Sequence, residues 1–307
     1  MKKVLAIIGP TASGKTELSV KLAKNLNAEI ISLDSRQIYK DMSIGTAQPT
    51  EADKNGIRHH LINIKPPTEI VAAGSYSTLV IDAVSDIYSR SKIPIICGGA
   101  GLYYRALLNG IFSESKTDQN IRTRLESEYD IKGPKKMLAR LFKSDPDYAK
   151  VIHPNNKKRL VRALEILEST GVSPSNNFKS QNNNNVPKLN LFTLYLEWDR
   201  HVLKQRIAFR TKKMLEDGWV DEVANLIKQY PKQQLHPLDS IGYREIISYL
   251  NKELKIEDLE QKIIIKTRQF AKRQIQWFKN EKIDLCLKMD HEISINDILQ
   301  KINKNIL

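Results

Sequence analysis

Val4-Leu-Ala-Ile-Ile8-Gly9-Pro10-Thr11-Ala12-Ser13-Gly14-Lys15-Thr16 decides the fold. Its first five residues are a continuous apolar run of the length of a buried strand, and Leu18, Leu22 and Leu26 then recur at the helical period. Between them Gly9 to Thr16 fits G-x-x-x-x-G-K-[ST] in the strand-to-helix setting that gives this motif its meaning. Glycines at both ends let backbone N–H groups turn toward phosphate oxygens, and the helix N-terminus adds its dipole. In that reading Gly9, Pro10, Thr11, Ala12, Ser13 and Gly14 cradle a diphosphate or nucleotide such as ATP. Lys15 neutralises its charge and the Thr16 hydroxyl ligates Mg2+. The loop implies a polyphosphate site and leaves the reaction open.

Working outward, Glu29 to Leu33 and Ile93 to Cys97 read as further buried strands, and right-handed connections through helices make such strands parallel. Each is followed by a chemically suggestive turn. Asp34 leaves the second strand at the carboxyl edge where ligands of open parallel sheets lie, so it is a candidate Mg2+ ligand or proton acceptor, or else a plain turn aspartate. Gly98-Gly99-Ala100-Gly101 leaves the other strand and permits close backbone approach, or serves a tight turn.

From about Ser113 to Pro187 strand-like runs vanish, and Ile121 to Tyr129 and Asn156 to Ser169 read as helices. The polar tract Ser173 to Asn185 has little to pack and reads as a loop. Leu189 to Leu196 then resumes the sheet, and helical patterns follow at His201 to Glu216, Val220 to Gln229, Tyr243 to Leu250 and Leu259 to Lys279. The expected fold is therefore α/β: a P-loop NTPase-like parallel sheet flanked by helices, formed by residues 1–112 and 188–307, with an all-helical insertion domain at 113–187.

The chain has 307 residues, a net charge of +14, 41% hydrophobic and 27% charged residues, an ordinary globular composition with an excess of base. That excess suggests a polyanionic partner but is spread along the chain: +4 over residues 1–112, +5 over 113–187 and +5 over 197–282. Two runs are dense. Lys157, Lys158, Arg159 and Arg162 crowd one helix, and residues 262–282 hold seven bases against the single acid Glu281. Phe270, Trp277 and Phe278 interleave with that second run, which suits stacking on RNA as well as the plainer reading of core aromatics beneath a wet face. Arg206 and Arg210, four apart, share a helix face that could clamp the phosphates. His59 and His60 diverge on any regular element, which argues against a metal role. Cys97 and Cys286 have no metal or disulfide spacing, and no apolar run is long enough to span a bilayer, so a cytoplasmic protein with no membrane partner is expected.

Taken together, the segments resemble the tRNA dimethylallyltransferase family. The matches are Gly9 to Thr16, Asp34-Ser35-Arg36-Gln37-Ile38-Tyr39 running to Ile44-Gly45-Thr46-Ala47, and Gly98 to Tyr103. They continue with Arg159 to Glu165, Arg206 to Met214, Ile241-Gly242-Tyr243-Arg244 and Thr267 to Gln274. The resemblance implies transfer of a five-carbon group from dimethylallyl diphosphate to the exocyclic amine of an adenine beside the tRNA anticodon, with Mg2+, by a monomeric enzyme. It implies Asp34 as general base, with Lys15, Thr16 and Arg210 acting on the leaving diphosphate. Asp34, Ser35, Arg36, Gln37 and Ala100 would meet the target nucleotide, and Arg122, Lys158, Arg159 and Arg162 of the insertion would meet the anticodon stem-loop. One departure stands out: relatives carry Thr where this chain has Ala100, a hydroxyl that contacts the diphosphate near the breaking bond. Free adenine nucleotides as acceptor, a small-molecule kinase using ATP, and an RNA-binding protein with a degenerate pocket are the rival readings, and the basic helical insertion argues against the first.

Overall fold

The computed structural model describes residues 3–110, 118–183, 188–231, 233, 235–290 and 294–306. Backbone contacts divide it into two units, residues 1–108 with 189–307, and residues 109–188. The expected boundary between 112 and 113 lies outside the described residues.

The first unit is a sheet with helices on both faces. In chain order it holds β1 (Val4–Ile8), α1 (Lys15–Leu26), β2 (Ala28–Leu33), α2 (Glu51–Lys54), β3 (His59–His60), α3 (Ala73–Ser89), β4 (Ile93–Gly98) and α4 (Gly101–Asn109). The second unit supplies α5 (Gln119–Lys132), α6 (Pro134–Ser144), α7 (Pro146–Val151), α8 (Lys157–Thr170) and α9 (Pro174–Asn183). The sheet unit then resumes with β5 (Leu191–Glu197), α10 (Arg200–Glu216), α11 (Trp219–Gln229), α12 (Tyr243–Leu250), α13 (Ile256–Phe278), β6 (Leu285–Lys288) and α14 (Ile295–Ile306). The six strands are parallel in the order β3-β2-β4-β1-β5-β6.

Alternation along the strands sorts side chains between two cores. Val4, Ala6 and Ile8 of β1, with Ile31, Leu33 and Ile96, face α3 and α4; Leu5 and Ile7, with Ile30, Ile95, Phe192 and Leu194, face α1 and α14. A buried aliphatic side chain of this kind contributes about 2 kcal/mol, and the sheet is buried on both faces, which is why its central strands read as unbroken apolar runs. Helix α1 leaves β1 toward one face and α4 leaves β4, the adjacent strand, toward the other. The loops after β1 and β4 thus open a crevice at the switch point of the sheet.

Two strands escape the sequence reading. β3 is two residues long, and β6 alternates half-buried and exposed residues at the sheet edge, with no apolar run to mark it. His60 binds the Glu29 carboxylate at 2.6 Å and His59 turns its Nδ1 to the Ile57 carbonyl at 2.9 Å, so the two rings do diverge.

The helical unit packs Leu125, Met137, Leu141, Ile152, Leu160, Val161 and Leu164 into its own core. The expected loop at Ser173 to Asn185 is corrected here, because Pro174–Asn183 is helix α9, while residues 184 and 185 lie outside the described residues. Pro174 has the fixed φ suited to a first helical turn. The buried Asp145 carboxylate caps α7 through the Tyr148 N–H at 2.9 Å and takes the Ser175 N–H and hydroxyl at 2.7 Å each. This tertiary anchor holds the start of the segment.

Candidate active site

The loop between β1 and α1 is drawn tight by its own lysine. Lys15 Nζ donates to the carbonyls of Gly9 at 3.1 Å and Pro10 at 2.6 Å, and lies 3.4 Å from Ser13 Oγ. Gly14, at φ 84°, makes the left-handed step into α1. Helix α10 and the connection before it approach the loop: from α10, Arg206 Nε donates to the Ala12 carbonyl at 2.8 Å and Arg210 donates to Thr11 Oγ1, and from the connection Trp198 Nε1 donates to the Ser13 carbonyl at 2.9 Å. The Arg206 guanidinium also stacks 4.4 Å above the Trp198 ring. The pair of arginines expected on one helix face is therefore at the phosphate loop.

Three cations meet here at one loop. Desolvation lowers the Lys15 pKa to about 8, with Arg210 pushing it further down and Cys97 and Asp34 opposing. Desolvation likewise lowers Arg210, against the pull of Asp34. Lys15 still holds its proton at neutral pH. Because its folded value lies below the ordinary 10.5, stability rises with pH between about 8 and 10.5, where the unfolded chain binds the extra proton. Desolvated cations gathered around loop amides and a helix N-terminus form an anion site.

Asp34 stands at the same sheet edge, at the end of β2. Its Oδ1 accepts the Arg36 N–H at 2.8 Å and the Gln37 N–H at 3.4 Å, which folds residues 34–37 into a turn. The turn reading therefore holds for Oδ1, while Oδ2 makes no hydrogen bond among the described residues. Ser35 and Arg36 are partly exposed, and the Arg36 guanidinium reaches His236 Nδ1 at 3.4 Å. Gln37 is directed inward, accepting from Ser32 Oγ at 2.9 Å and donating to the carbonyls of Thr46 and Ala47 at 3.3 and 3.0 Å. Its side chain shapes the loop behind the site.

The glycines after β4 are explained by space. A Cβ at Gly98 would lie 2.1 Å from the Leu33 carbonyl oxygen, at Gly99 2.5 Å from Gln274 Nε2, and at Gly101 2.5 Å from the Trp277 ring. Gln274 is the residue that sequence reasoning left without a role. From α13 it accepts the Thr11 N–H at 2.8 Å and donates to the Gly99 carbonyl at 2.9 Å, joining the two glycine-rich loops. Half-buried Ala100 belongs to the second loop, its N–H on the Leu33 carbonyl at 3.3 Å. Also unforeseen is Glu222, whose carboxylate takes the N–H groups of Ile44 and Gly45 at 2.7 and 3.0 Å and the Tyr243 hydroxyl at 2.7 Å. Gly45 and Gly242 both pack on Trp219, which explains why those two motifs need glycine. Of the interleaved aromatics, Phe278 is core, Trp277 lies under Arg105 at 4.5 Å, and Phe270 remains 38% exposed with Arg273 5.9 Å above its ring. The plainer reading, core aromatics beneath a wet face, therefore holds for Phe278, and Phe270 lies on the wet side.

The remaining candidates belong to the helical unit. Lys158 and Arg159 are exposed on α8. Lys157 pairs with Asp130 at 2.6 Å, Arg122 with Glu126 at 3.5 Å, and Arg162 with the fully buried Glu165 at 2.8 Å. Glu165 also takes the Asp118 N–H at 3.0 Å, so Arg162 helps to fix the start of α5.

Thr16 carries a hydroxyl with no hydrogen bond among the described residues. No cluster of three or more His, Cys, Asp or Glu suited to a metal occurs among them. Mg2+ is commonly held by one or two protein oxygens together with substrate phosphates, and the uncommitted Thr16 hydroxyl fits that donor set. No described helix is long and apolar enough to cross a membrane.

Comparison with known proteins bears on all of this. A family model described as IPP transferase matches residues 37–281, beginning just past Asp34. The tRNA dimethylallyltransferase of Bacillus licheniformis is 39% identical over 300 residues, covering 97% of this chain and 95% of the relative. That of Bacillus subtilis is 37% identical over 304 residues, covering 97% and 96%. Among solved structures, the full-length tRNA isopentenylpyrophosphate transferase of Bacillus halodurans is 35% identical, with a TM-score of 0.71 over 99% of this chain and 95% of its own. A eukaryotic dimethylallyltransferase acting on tRNA is 30% identical, with a TM-score of 0.79 over 99% of this chain and 76% of its own.

Proposed function

Because the chain belongs to the IPP transferase family, we infer that it transfers a dimethylallyl group to the exocyclic amine of the adenine 3′ of the anticodon in tRNA, giving N6-isopentenyladenosine. In this reading the donor is dimethylallyl diphosphate and the enzyme works as a cytoplasmic monomer. The observation that carries the donor assignment is the convergence of Lys15, Arg206 and Arg210 on the phosphate loop, with the Asp34 carboxylate at the same edge.

The adenine amine attacks C1 of the dimethylallyl group, the C1–O bond breaks, and its electron pair leaves on the diphosphate. Charge on that leaving group grows toward the transition state, so Lys15, Arg210 and the loop amides stabilise the transition state more than the bound donor. The amine proton passes to Asp34, whose Oδ1 is held by its own turn while Oδ2 remains available. Thr16 would hold Mg2+, which when bound would neutralise part of the diphosphate charge. An exocyclic amine is a weak nucleophile, so alignment supplies much of the rate. The base must first leave its stack, a cost of a few kcal/mol offset by RNA contacts. Exposed Lys158 and Arg159 suit phosphate contacts on the anticodon arm, and Ser35, Arg36 and Ala100 suit the target nucleotide.

Transfer of radiolabelled dimethylallyl diphosphate to unmodified tRNA tests the proposal. The parent protein is expected to label the RNA, with Asp34→Ala and Lys15→Ala each reducing the rate at least ~100-fold. No label under conditions where a relative is active would overturn it, and consumption of ATP with a small acceptor would point to a kinase instead.

A further inference from the structure

The outer edge of β2 is finished by a side chain. Along this strand the groups of even-numbered residues point away from β4: Ile30 N–H bonds the Arg58 carbonyl on the β3 side, whereas the odd-numbered Leu33 carbonyl receives the Ala100 N–H on the β4 side. β3 pairs only with Ile30 and Ile31 and ends at His60. The next outward groups, the Ser32 carbonyl and the Asp34 N–H, are therefore left without a strand.

Both meet the hydroxyl of Tyr76 on α3. It donates to the Ser32 carbonyl at 2.7 Å and accepts the Asp34 N–H at 3.4 Å, one donor and one acceptor, as a residue of a continuing parallel strand would offer. Tyr76 is fully buried, and desolvation pushes its phenol far above the ordinary value, so it stays protonated and keeps donating. The ring lies 4.4 Å from that of Tyr103, whose hydroxyl donates to the Val71 carbonyl at 3.3 Å. The hydroxyl thus has a fixed address.

We propose that Tyr76 is a positioning residue for the transfer reaction: its hydroxyl replaces the missing rung of β2 and so fixes the backbone from which the Asp34 carboxylate reaches the adenine amine. The inference rests on Asp34 as the base and adds what holds it in place. A role confined to packing would be kept by phenylalanine, because the ring stack survives.

The test compares Tyr76→Phe, Tyr103→Phe, Asp34→Ala and the Asp34→Ala/Tyr76→Phe double variant, with rates normalised to the concentration of donor-binding sites so that unfolded protein does not count. Tyr76→Phe is expected to lower kcat about tenfold or more, leave KM for the diphosphate donor and for tRNA within about twofold, and change nothing further once Asp34 is gone. Tyr103→Phe, which loses a hydroxyl away from the rung, is expected to keep kcat near that of the parent. An unchanged kcat in Tyr76→Phe, a rise in KM as its main effect, or a second full loss in the double variant would overturn the positioning role while the base assignment stands. Parent-like activity in Asp34→Ala alone would overturn the base assignment and this role with it.

Discussion

The two ends of β2 each carry a carboxylate among cations, and they are used in opposite ways. At the start of the strand Glu29, 2% exposed, is closed on every side: Arg90 binds it with two nitrogens at 2.5 and 2.8 Å, Lys92 at 2.8 Å and His60 at 2.6 Å. The Arg90 hydrogen bonds, against desolvation, hold its carboxyl far below the usual range. At the other end the cations Lys15 and Arg210 make their hydrogen bonds to the phosphate loop, not to Asp34, and one oxygen of Asp34 is kept back. Closure gives stability, and incompleteness leaves charge for a substrate. A related contrast recurs on α8, where Arg162 pairs with the buried Glu165 while Arg159 is exposed.

Glu29→Gln should test the closed end most severely. Leaving Arg90, Lys92 and His60 without their shared anion is expected to cost on the order of 3 kcal/mol, the low end for a broken buried pair because Arg90 and Lys92 reach solvent. Denaturant unfolding measures this, and kcat should stay near the parent's. Since the folded pKa is depressed, the stability from Glu29 is fully present above its unfolded value and is lost as the pH falls below about 4.5, a loss the variant should not show. A large fall in kcat with unchanged stability would erase the distinction between the two ends.

Next in size is the open face of α8. Lys158→Ala with Arg159→Ala is expected to weaken tRNA binding roughly tenfold and reduce the salt slope by about two, with donor affinity unchanged. Arg162→Ala should instead act mainly through the stability of the helical unit, because it exposes the Glu165 charge to an unpaired interior. The smallest effect is expected at Ala100→Thr, where a restored hydroxyl should raise the rate or lower the donor concentration needed, by roughly tenfold or less. A neutral or harmful result would show that the open end has been rebuilt around alanine.

The sequence made the central strands legible because burial on both faces leaves long apolar runs, and it exposed the phosphate loop and Asp34 because those chemistries need fixed spacing. It hid β3, whose two histidines are held by Glu29 and a backbone carbonyl rather than by propensity, and α9, which hangs on Asp145. It also hid Gln274, Glu222 and Tyr76, since each acts on backbone groups far away in the chain: Gln274 and Thr11 are 263 positions apart. Local pattern carries no signal for such pairs. Nor does it show that Arg162, read as RNA-facing, also pairs with the buried Glu165.

The bridge made by Gln274 has a consequence for biosynthesis. β1 lies between β4 and β5, and β5 is made only after the whole helical unit, so one edge of the central strand stays unpaired on the ribosome for roughly 5 to 20 s. The two glycine-rich loops are not tied together until residue 274 of 307 has emerged. A chain interrupted before α13 has the phosphate motif but not its brace, so the donor site takes its final shape only after that helix has been made.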